Sequence, residues 1–314
     1  PHGFVMKREH FDYFLFKKLN PEYATIKEET SLQSIERAAD GNITAVIKSI
    51  DGEEEIIRPK IVIAADGERS VINRQLVKYK DESKHFAVAV RAYYTGVADV
   101  GKLNTIELHY IKELLTGYLW LFPLPNGGCN VGMGILSSHL KGNKRNLRKE
   151  MLEILATHPK FKDRFINAKP EGKIVGWGLP MGSKKRQISG DNYILTGDAA
   201  SLIDPFTGEG IGNAIISGKY AAVYAKEALE AEDFSASFFQ QRYDKLIYDK
   251  LWNELQVSYL LQRIIAYPFL LNFVFKLATR SEKMKDTLSM MFVDIDLRKQ
   301  LKNPLFYIKM LLGK

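Results

Sequence analysis

The stretch that most constrains the fold is NYILTGDAASLIDPFTGEGIGNAIISGKYAAVYA, residues 192–225. The apolar run YIL predicts a strand, and Gly197-Asp198 places a carboxylate just beyond its end. A Gly-x-Gly-x-Gly run then removes side chains from the start of a helix that is rich in alanine. Glycine allows close approach of a ligand, and the first N–H groups of a helix lack intrahelical partners and carry the positive end of its dipole. The whole pattern favours a ligand-binding strand–turn–helix over a plain close-packed helix.

Composition excludes several classes of function. The 314 residues are 46% hydrophobic and 26% charged, which is ordinary for a globular chain long enough for two domains. A single cysteine, Cys129, excludes an internal disulfide framework, a Cys-based zinc site and a Cys-ligated iron–sulfur cluster, and it suits a reducing cytoplasm. The histidines lack metal-ligand spacing, so we expect no metal. The net charge of +8 comes without a basic stripe among aromatic residues, so we expect no nucleic-acid partner.

Strand and helix patterns divide the chain into four segments. Residues 1–82 contain a helical pattern, hairpin strands and the run KIVIAA, which is apolar on both faces like a buried parallel strand. Residues 83–180 predict the long alternating strands of an antiparallel sheet, followed by a helix over 146–166. Residues 181–232 contain the strand–turn–helix, and residues 233–314 are largely helical. The sequence therefore predicts an α/β (α+β) fold.

Four segments, in order along residues 1 to about 230, resemble the geranylgeranyl reductase family of FAD-dependent oxidoreductases, within the aromatic-hydroxylase-like flavoproteins. MKREHFDYFL resembles the family's Arg-x-x-Phe-Asp stretch, IVIAADGERSVIN its Asp-Gly motif, and TGDAASLIDPFTGEGIGNAIISGKYAA its second FAD-binding motif. YLWLFPLPNGGCNVGMG resembles the signature YxWxFP-x8-GxG.

The resemblance implies a Rossmann-like FAD-binding domain in two parts, residues 1–82 and 181–232. An antiparallel-sheet substrate domain, 83–180, is inserted between them, and a helical region, 233–314, follows. The family begins with a βαβ unit whose GxGxxG motif binds the FAD pyrophosphate, and this motif is missing here. We therefore expect the chain to lack an N-terminal segment.

The resemblance also implies roles for particular residues. Asp198 would bind the ribityl chain of FAD, Pro205 would lie against the ring, and the backbone at the start of the helix would face the pyrimidine edge. Taken alone, Arg8 is more typical of a surface ion pair and Asp66-Gly67 of a plain turn. The expected cofactor-binding residues are Arg8, Asp66, Gly67, Gly197, Asp198, Pro205, Gly208, Gly210, Ile211, Gly212 and Asn213. The expected substrate-binding residues are Tyr118, Trp120, Phe122 and Trp177.

The resemblance implies an FAD-dependent oxidoreductase that reduces carbon–carbon double bonds of a polyprenyl chain, with NAD(P)H or another reductant as electron donor. An FAD-dependent monooxygenase, hydroxylase or halogenase on the same fold is the alternative, because the FAD motifs do not distinguish these reactions. The halogenase signature has two tryptophans before Ile-Pro, whereas this chain has Tyr-x-Trp-x-Phe-Pro, which favours the reductase. No residue pattern identifies a catalytic proton donor.

The expected substrate bears on location. A polyprenyl lipid is nearly insoluble, so the enzyme must take it from a bilayer. Aromatic, aliphatic and basic residues alternate after residue 250 and again in the final NPLFYIKMLLGK. This mixture is typical of helices at an anionic surface, although residues 250–280 are equally typical of helices packed on the protein. We expect a cytoplasmic protein that is peripheral on the inner face of the membrane, and the sequence does not define its oligomeric state.

Overall fold

The computed structural model describes residues 4–39, 41–79, 82–102, 105–114, 116–140 and 145–267, together with residues 269, 272 and 276. Contacts divide the chain into two compact units. The sheet unit comprises Pro1–Lys27 and Phe86–Gly178, and the helical unit comprises Glu28–His85 and Leu179–Lys314.

Eleven strands and six α-helices are defined in the described residues, with short 3-10 and π turns between them. The strands are β1 (Thr30–Arg37), β2 (Ile43–Ser49), β3 (Glu54–Ile57), β4 (Val62–Ala64), β5 (Phe86–Thr95), β6 (Glu107–His109), β7 (Tyr118–Pro123), β8 (Gly128–Leu136), β9 (Lys169–Pro180), β10 (Ser189–Gly190) and β11 (Tyr193–Leu195). The helices are α1 (Arg8–Phe16), α2 (Leu147–Thr157), α3 (Lys162–Phe165), α4 (Ile211–Ala231), α5 (Ala236–Phe239) and α6 (Lys245–Ile265).

The sheet unit is built on a five-stranded sheet with the order β6-β7-β8-β5-β9, in which β6, β7, β8 and β5 pair antiparallel in turn. Side chains alternate across it, as strand geometry requires. Leu119 and Leu121 on β7 are fully buried and join Met151 of α2 in one hydrophobic core. The predicted antiparallel sheet is confirmed.

The single helix predicted over residues 146–166 is wrong, because the structure has two helices there. Helix α2 ends at Thr157, and α3 begins at Lys162. Pro159 follows His158, which adopts extended backbone angles (φ −69°, ψ 131°). Proline disfavours helical angles in the residue before it and has no N–H to donate, so the helix stops there.

The helical unit contains two three-stranded sheets, one with the antiparallel order β1-β2-β3 and one with the order β10-β11-β4. β11 and β4 are parallel, with Leu195 opposite Ala64. All three residues of β11 are buried, and the hydroxyl of Tyr243, which is fully buried, donates a hydrogen bond to the Leu195 carbonyl (2.7 Å). The predicted α/β fold class is confirmed by this mixture of a parallel strand pair, antiparallel sheets and packed helices.

The C-terminal helical region that the sequence predicts includes α5 and α6. The final NPLFYIKMLLGK, residues 303–314, lies outside the described residues. Within the described part of the chain, no helix combines the length and the apolar character that crossing a bilayer would require.

Candidate functional site

The two Asp-containing motifs of the helical unit leave neighbouring parallel strands at the same edge. The Thr196 N–H and hydroxyl both donate to the Ala64 carbonyl, at 2.9 and 3.0 Å, so the pairing of β11 with β4 extends one residue beyond the strands. Asp66 follows β4 and Asp198 follows β11. Both motifs therefore lie at the carboxyl edge of this strand pair, the edge at which α/β sheets place ligands.

Gly197, two residues beyond the end of β11, lies against helix α4. Its φ is +52°, in the left-handed region that favours glycine, and a Cβ there would lie 2.9 Å from the Ala214 Cβ. The Gly197 N–H donates to the Ser217 hydroxyl (2.9 Å), which in turn donates to the Asn213 carbonyl (2.7 Å). Ser217 is fully buried. These contacts fix the following carboxylate, Asp198, against the first turn of α4.

Gly210 leaves space for that carboxylate. A Cβ built on Gly210 would lie 3.1 Å from Asp198 Oδ1, tighter than ordinary van der Waals contact, and 3.2 Å from an Ile203 side-chain carbon. Asp198 is half-buried, whereas Gly212, two residues beyond Gly210, is exposed. Because Gly210 has no side chain, the Asp198 carboxylate can lie directly against the start of α4.

The first turn of α4 presents backbone N–H groups. Gly210 is its N-cap and supplies no capping side chain. The Ala214 N–H bonds back to the Gly210 carbonyl (2.8 Å), so the N–H groups of Ile211, Gly212 and Asn213 precede the intrahelical ladder. The Asn213 side chain donates to the Leu202 carbonyl (2.7 Å) and does not cover them. A helix start of this kind stabilises a negatively charged or electron-rich group.

The turn between β11 and α4 is held by a buried carboxylate that the sequence analysis missed. Asp204 Oδ1 accepts the N–H groups of Phe206 and Thr207, both at 2.9 Å, and Oδ2 accepts the Ser258 hydroxyl at 2.6 Å. Gln262 of α6 donates to the Pro205 carbonyl (2.5 Å). Asp-Pro-x-x-Gly is a recognisable turn pattern that could have indicated Asp204. Ser258 and Gln262 give no such signal, because they lie more than fifty residues away.

The other cofactor candidates make contacts within their own units. Asp66 Oδ2 accepts the Val71 N–H (2.8 Å), and Gly67 has a φ of +74° with open space where a Cβ would stand. Arg8 belongs to the sheet unit, where it is exposed and pairs with Asp12 at 3.1 and 3.2 Å. Asp66 and Arg8 are both exposed. Asp66 also has the hydrogen-bond partner expected of a turn, and Arg8 has the carboxylate partner expected of an ion pair.

The three aromatic residues predicted to contact substrate form one row on β7. Tyr118, Trp120 and Phe122 are half-buried and point away from the core leucines, with ring centroids 6.0 and 6.2 Å apart along the row. Trp120 Nε1 donates to Asn130 Oδ1 (3.1 Å). Trp177 of β9 is 57% exposed and does not belong to this row. The structure therefore brings three of the four together as a continuous apolar face.

The glycines of the signature have a packing explanation. Tyr118 pairs with Gly134 and Trp120 pairs with Gly132 across β7 and β8. A Cβ on Gly132 would lie 2.2 Å from Trp120 Cζ2, so the indole ring covers this glycine. The spacing YxWxFP-x8-GxG is thus the register of one hairpin, in which Gly132 makes room for the Trp120 indole ring.

Titration in the two units reflects burial. Burial raises the pKa of Cys129 to about 12, so this thiol stays protonated and unreactive near neutral pH. Burial also raises the pKa of Asp244 to about 6, although the Ser189 hydroxyl and the Ile188 N–H both donate to its carboxyl group. Cys129 lies in the core of the sheet unit and Asp244 is half-buried in the helical unit, and neither belongs to the sites predicted from the sequence.

The helical-unit geometry fits the ribityl and ring portion of a flavin. A fixed carboxylate suits ribityl hydroxyl groups, and a helix start with free N–H groups suits the electron-rich edge of the ring. At Gly212 only Glu209 Oε1, at 3.7 Å, lies within 4 Å of where a Cβ would stand, so the backbone at the start of α4 is open to close contact.

Comparisons with known proteins agree with this geometry. Residues 4–223 match the family model described as FAD binding domain. The chain is 31% identical over 267 residues to digeranylgeranylglycerophospholipid reductase of Methanococcus vannielii, covering 83% of this chain and 65% of the relative. It is 32% identical over 234 residues to digeranylgeranylglycerophospholipid reductase 2 of Methanosphaera stadtmanae, covering 74% and 57%. The chain thus spans less than two thirds of the length of these curated relatives.

Solved structures share the fold. A geranylgeranyl bacteriochlorophyll reductase-like protein from Thermoplasma acidophilum superposes with a TM-score of 0.76 at 25% identity, covering 92% of this chain and 75% of that one. A flavin-dependent brominase superposes with a TM-score of 0.68 at 20% identity, covering 93% and 70%.

Proposed function

Because the chain belongs to the FAD binding domain family, we propose that it is part of an FAD-dependent oxidoreductase that reduces carbon–carbon double bonds of a polyprenyl chain. The predicted resemblance to geranylgeranyl reductases agrees with the names of the curated relatives, which point to a digeranylgeranyl glycerophospholipid as substrate. The observation that carries the cofactor assignment is the open first turn of α4 fixed beside the Asp198 carboxylate.

In this proposal, the residues of the helical unit bind and orient the cofactor. Asp198 accepts hydrogen bonds from the ribityl hydroxyls, and the N–H groups of residues 211–213 stabilise negative charge at the pyrimidine edge. Pro205, whose carbonyl accepts a hydrogen bond from Gln262, would lie against the ring. Asp66-Gly67 would lie under the dinucleotide, and the resemblance implies that Arg8 contacts FAD near its phosphates and ribityl chain. When bound and reduced by NAD(P)H or another donor, FAD would supply a hydride to one carbon of the double bond, and a proton would be added to the other.

The aromatic row Tyr118, Trp120 and Phe122 orients the isoprenoid chain and excludes water from it. Three half-buried rings along one strand give a long apolar surface without any charge between them. Trp177, which is more exposed, extends this surface at a second position. An enzyme that saturates an isolated double bond with a reduced cofactor mainly has to orient the substrate on an ordered apolar surface, and an acid–base dyad is less important.

An oxygen-dependent monooxygenase or halogenase is the competing function, because flavin-dependent halogenases share this fold. That likeness, at 20% identity, supports the fold alone. The curated relatives that reach 30% identity are named as reductases, and their names favour saturation of a double bond.

We further propose that the protein works at the cytoplasmic face of a membrane as a peripheral protein. Exposed apolar side chains collect toward the end of α6, where Leu260 is 45% exposed, Tyr267 55% and Phe269 68%. Arg263 is exposed among them. Aromatic and aliphatic side chains with a neighbouring cation suit the headgroup region of an anionic bilayer.

The test uses the protein as its own gene produces it, purified with FAD. We expect noncovalent FAD binding, and we expect Asp198→Ala to weaken it by roughly tenfold to hundredfold, because a charge-assisted hydrogen bond contributes about 1.5–3 kcal/mol. Asp249→Ala, which removes an exposed carboxylate on α6, is the matched control. A protein that stays colourless with excess FAD would contradict the flavoprotein assignment.

The reaction class is tested under anaerobic conditions. The chemically reduced protein should be reoxidised by a geranylgeranyl lipid, and mass spectrometry should detect one added pair of hydrogen atoms for each bond. A requirement for oxygen, with one oxygen atom added to the product, would favour the monooxygenase instead.

A further inference from the structure

Arg91 lies on the same face of the sheet as the aromatic row. In the register of the sheet, Trp120 on β7 is opposite Gly132 on β8, and Gly132 is opposite Arg91 on β5. Residues opposite one another point to the same face. Arg91 is therefore two strands from Trp120, about 10 Å between backbones, with a glycine between them that the indole ring covers.

On the same face, polar residues lie across the sheet from Phe122. Phe122 is opposite Asn130, and Asn130 is opposite Tyr93. The Arg91 guanidinium stacks on the Tyr93 ring, with its carbon 4.4 Å from the ring centroid. In the other direction along the strands, Tyr118 is opposite Gly134, which is opposite Ala89. The face thus changes along β5 from apolar small residues to a cation and a phenol.

Three cationic residues contact Tyr93, namely Lys7, Arg8 and Arg91, and they differ in whether a carboxylate pairs with them. Lys7 Nζ lies 5.2 Å from the same ring centroid and pairs with Glu171 at 2.7 Å. Arg8 donates its backbone N–H to the Tyr93 hydroxyl (3.2 Å), and its side chain pairs with Asp12. Arg91 is half-buried, and within the described ranges it forms no ion pair with a carboxylate. A half-buried guanidinium beside a second cation is stabilised by an anion.

We propose that Arg91 binds the phosphate group of a prenyl lipid whose isoprenoid chain lies along Tyr118, Trp120 and Phe122. This inference rests on the proposed function and names the polar side of that substrate site, two strands from the middle of the aromatic row. The planar guanidinium fork matches two phosphate oxygens, whereas a lone ammonium does not. Stacking on Tyr93 holds the guanidinium plane in place, so little ordering is needed when the phosphate binds. The site therefore recognises an amphiphile: an aromatic row for the chain and one arginine for its anionic end.

The test compares two probes that differ only at the polar end, geranylgeranyl phosphate and the neutral alcohol geranylgeraniol. Binding is followed by quenching of tryptophan fluorescence and by calorimetry, with the FAD-loaded protein at low salt. We expect the phosphate to bind at least tenfold more tightly than the alcohol, as a charge-assisted contact to a partly buried arginine implies. Arg91→Gln should abolish that preference while leaving affinity for the alcohol unchanged.

The matched control is Arg148→Gln, which removes the same charge from an exposed position on α2, the helix that packs on the other side of this sheet. It should keep the full preference. Arg91→Lys is the second variant, used if Arg91→Gln does not fold, and it should retain less than half of the preference because lysine lacks the fork. Retention of the full preference by whichever Arg91 variant folds would overturn the proposal.

Two further arms separate the sources of the signal. Inorganic phosphate at the same concentration should compete weakly, since it lacks the chain; competition as strong as that of geranylgeranyl phosphate would show a free-phosphate site and overturn the lipid assignment. Weakened FAD binding by Arg91→Gln, with the lipid preference intact, would overturn it in favour of a cofactor contact. Failure of both prenyl probes to bind the wild-type protein would refute the proposed function itself, whereas equal binding of both would refute only the role of Arg91.

Discussion

Two glycines on β8 offer a sharp test of the packing beneath the aromatic row. A Cβ on Gly132 would lie 2.2 and 2.6 Å from Trp120 ring carbons and 2.6 Å from the Val90 carbonyl oxygen. The indole could rotate away only by giving up its hydrogen bond to Asn130, and the Val90 carbonyl is part of β5 and cannot move alone. Gly132→Ala therefore forces a change in both neighbours.

The magnitude follows from these contacts. Overpacking a well-filled site costs about 1–3 kcal/mol, and losing one partly buried hydrogen bond costs about 1 kcal/mol more. We expect Gly132→Ala to lower the free energy of unfolding by about 2–4 kcal/mol. It should also shift the tryptophan emission of the folded protein, because the indole of Trp120 must leave its position.

Gly134→Ala is the matched control, since this glycine lies two residues further along the same face of the same strand. The closest atom to a Cβ there is the Ala89 Cβ at 3.5 Å, an ordinary contact. We expect a change within about 1 kcal/mol, with stabilisation the expected sign because alanine reduces the entropy of the unfolded chain. The assay is urea unfolding followed by circular dichroism and fluorescence. Equal stabilities of the two variants would refute the claim that the indole ring of Trp120 requires glycine at position 132.

Three more predictions concern the helical unit and the C-terminus. Burial raises the pKa of Asp244 to about 6 from an ordinary value near 4, so its contribution to stability is fully present below about pH 4 and is lost as the pH rises through 6. Asp244→Asn should therefore remove a fall in the free energy of unfolding of up to about 3 kcal/mol between pH 4 and 7, measured by urea unfolding. An unchanged pH profile would contradict this. Ser217→Ala leaves the buried Gly197 N–H without its acceptor, so it should lower the free energy of unfolding by about 1–3 kcal/mol in thermal unfolding and weaken FAD binding. A variant with wild-type values in both assays would show that Ser217 does not position the Gly197-Asp198 turn. Truncation after Asn303 should reduce co-sedimentation with anionic liposomes at low salt, and equal sedimentation of the intact and shortened chains would remove the tail as an anchor.

Local chemistry allowed several features to be predicted from the sequence. The alternating pattern over β5, β7 and β8 predicted an antiparallel sheet, because side chains on a strand must alternate between core and surface. The glycines at 197 and 210 predicted close approach of backbone to a ligand, which stays a prediction; in the structure they make room for Ala214 of α4 and for Asp198. The motif resemblance to geranylgeranyl reductases also came from the sequence, and the curated relatives agree with it. The individual roles of the site residues stay predictions.

Tertiary structure alone decided which distant residues meet. No local pattern indicates that Ser258 and Gln262 of α6 hold the Asp204-Pro205 turn, since those hydrogen bonds join residues more than fifty positions apart. Arg91 gives no motif, and only the register of β5 against β8 and β7 places it on the face of the aromatic row. Local propensities depend on neighbours within a few residues, whereas strand register and helix packing are set by burial summed over the whole unit. The sequence by itself therefore determined the antiparallel strand pattern and the family motifs, and the packed chain decided which charges and hydroxyl groups lie beside them.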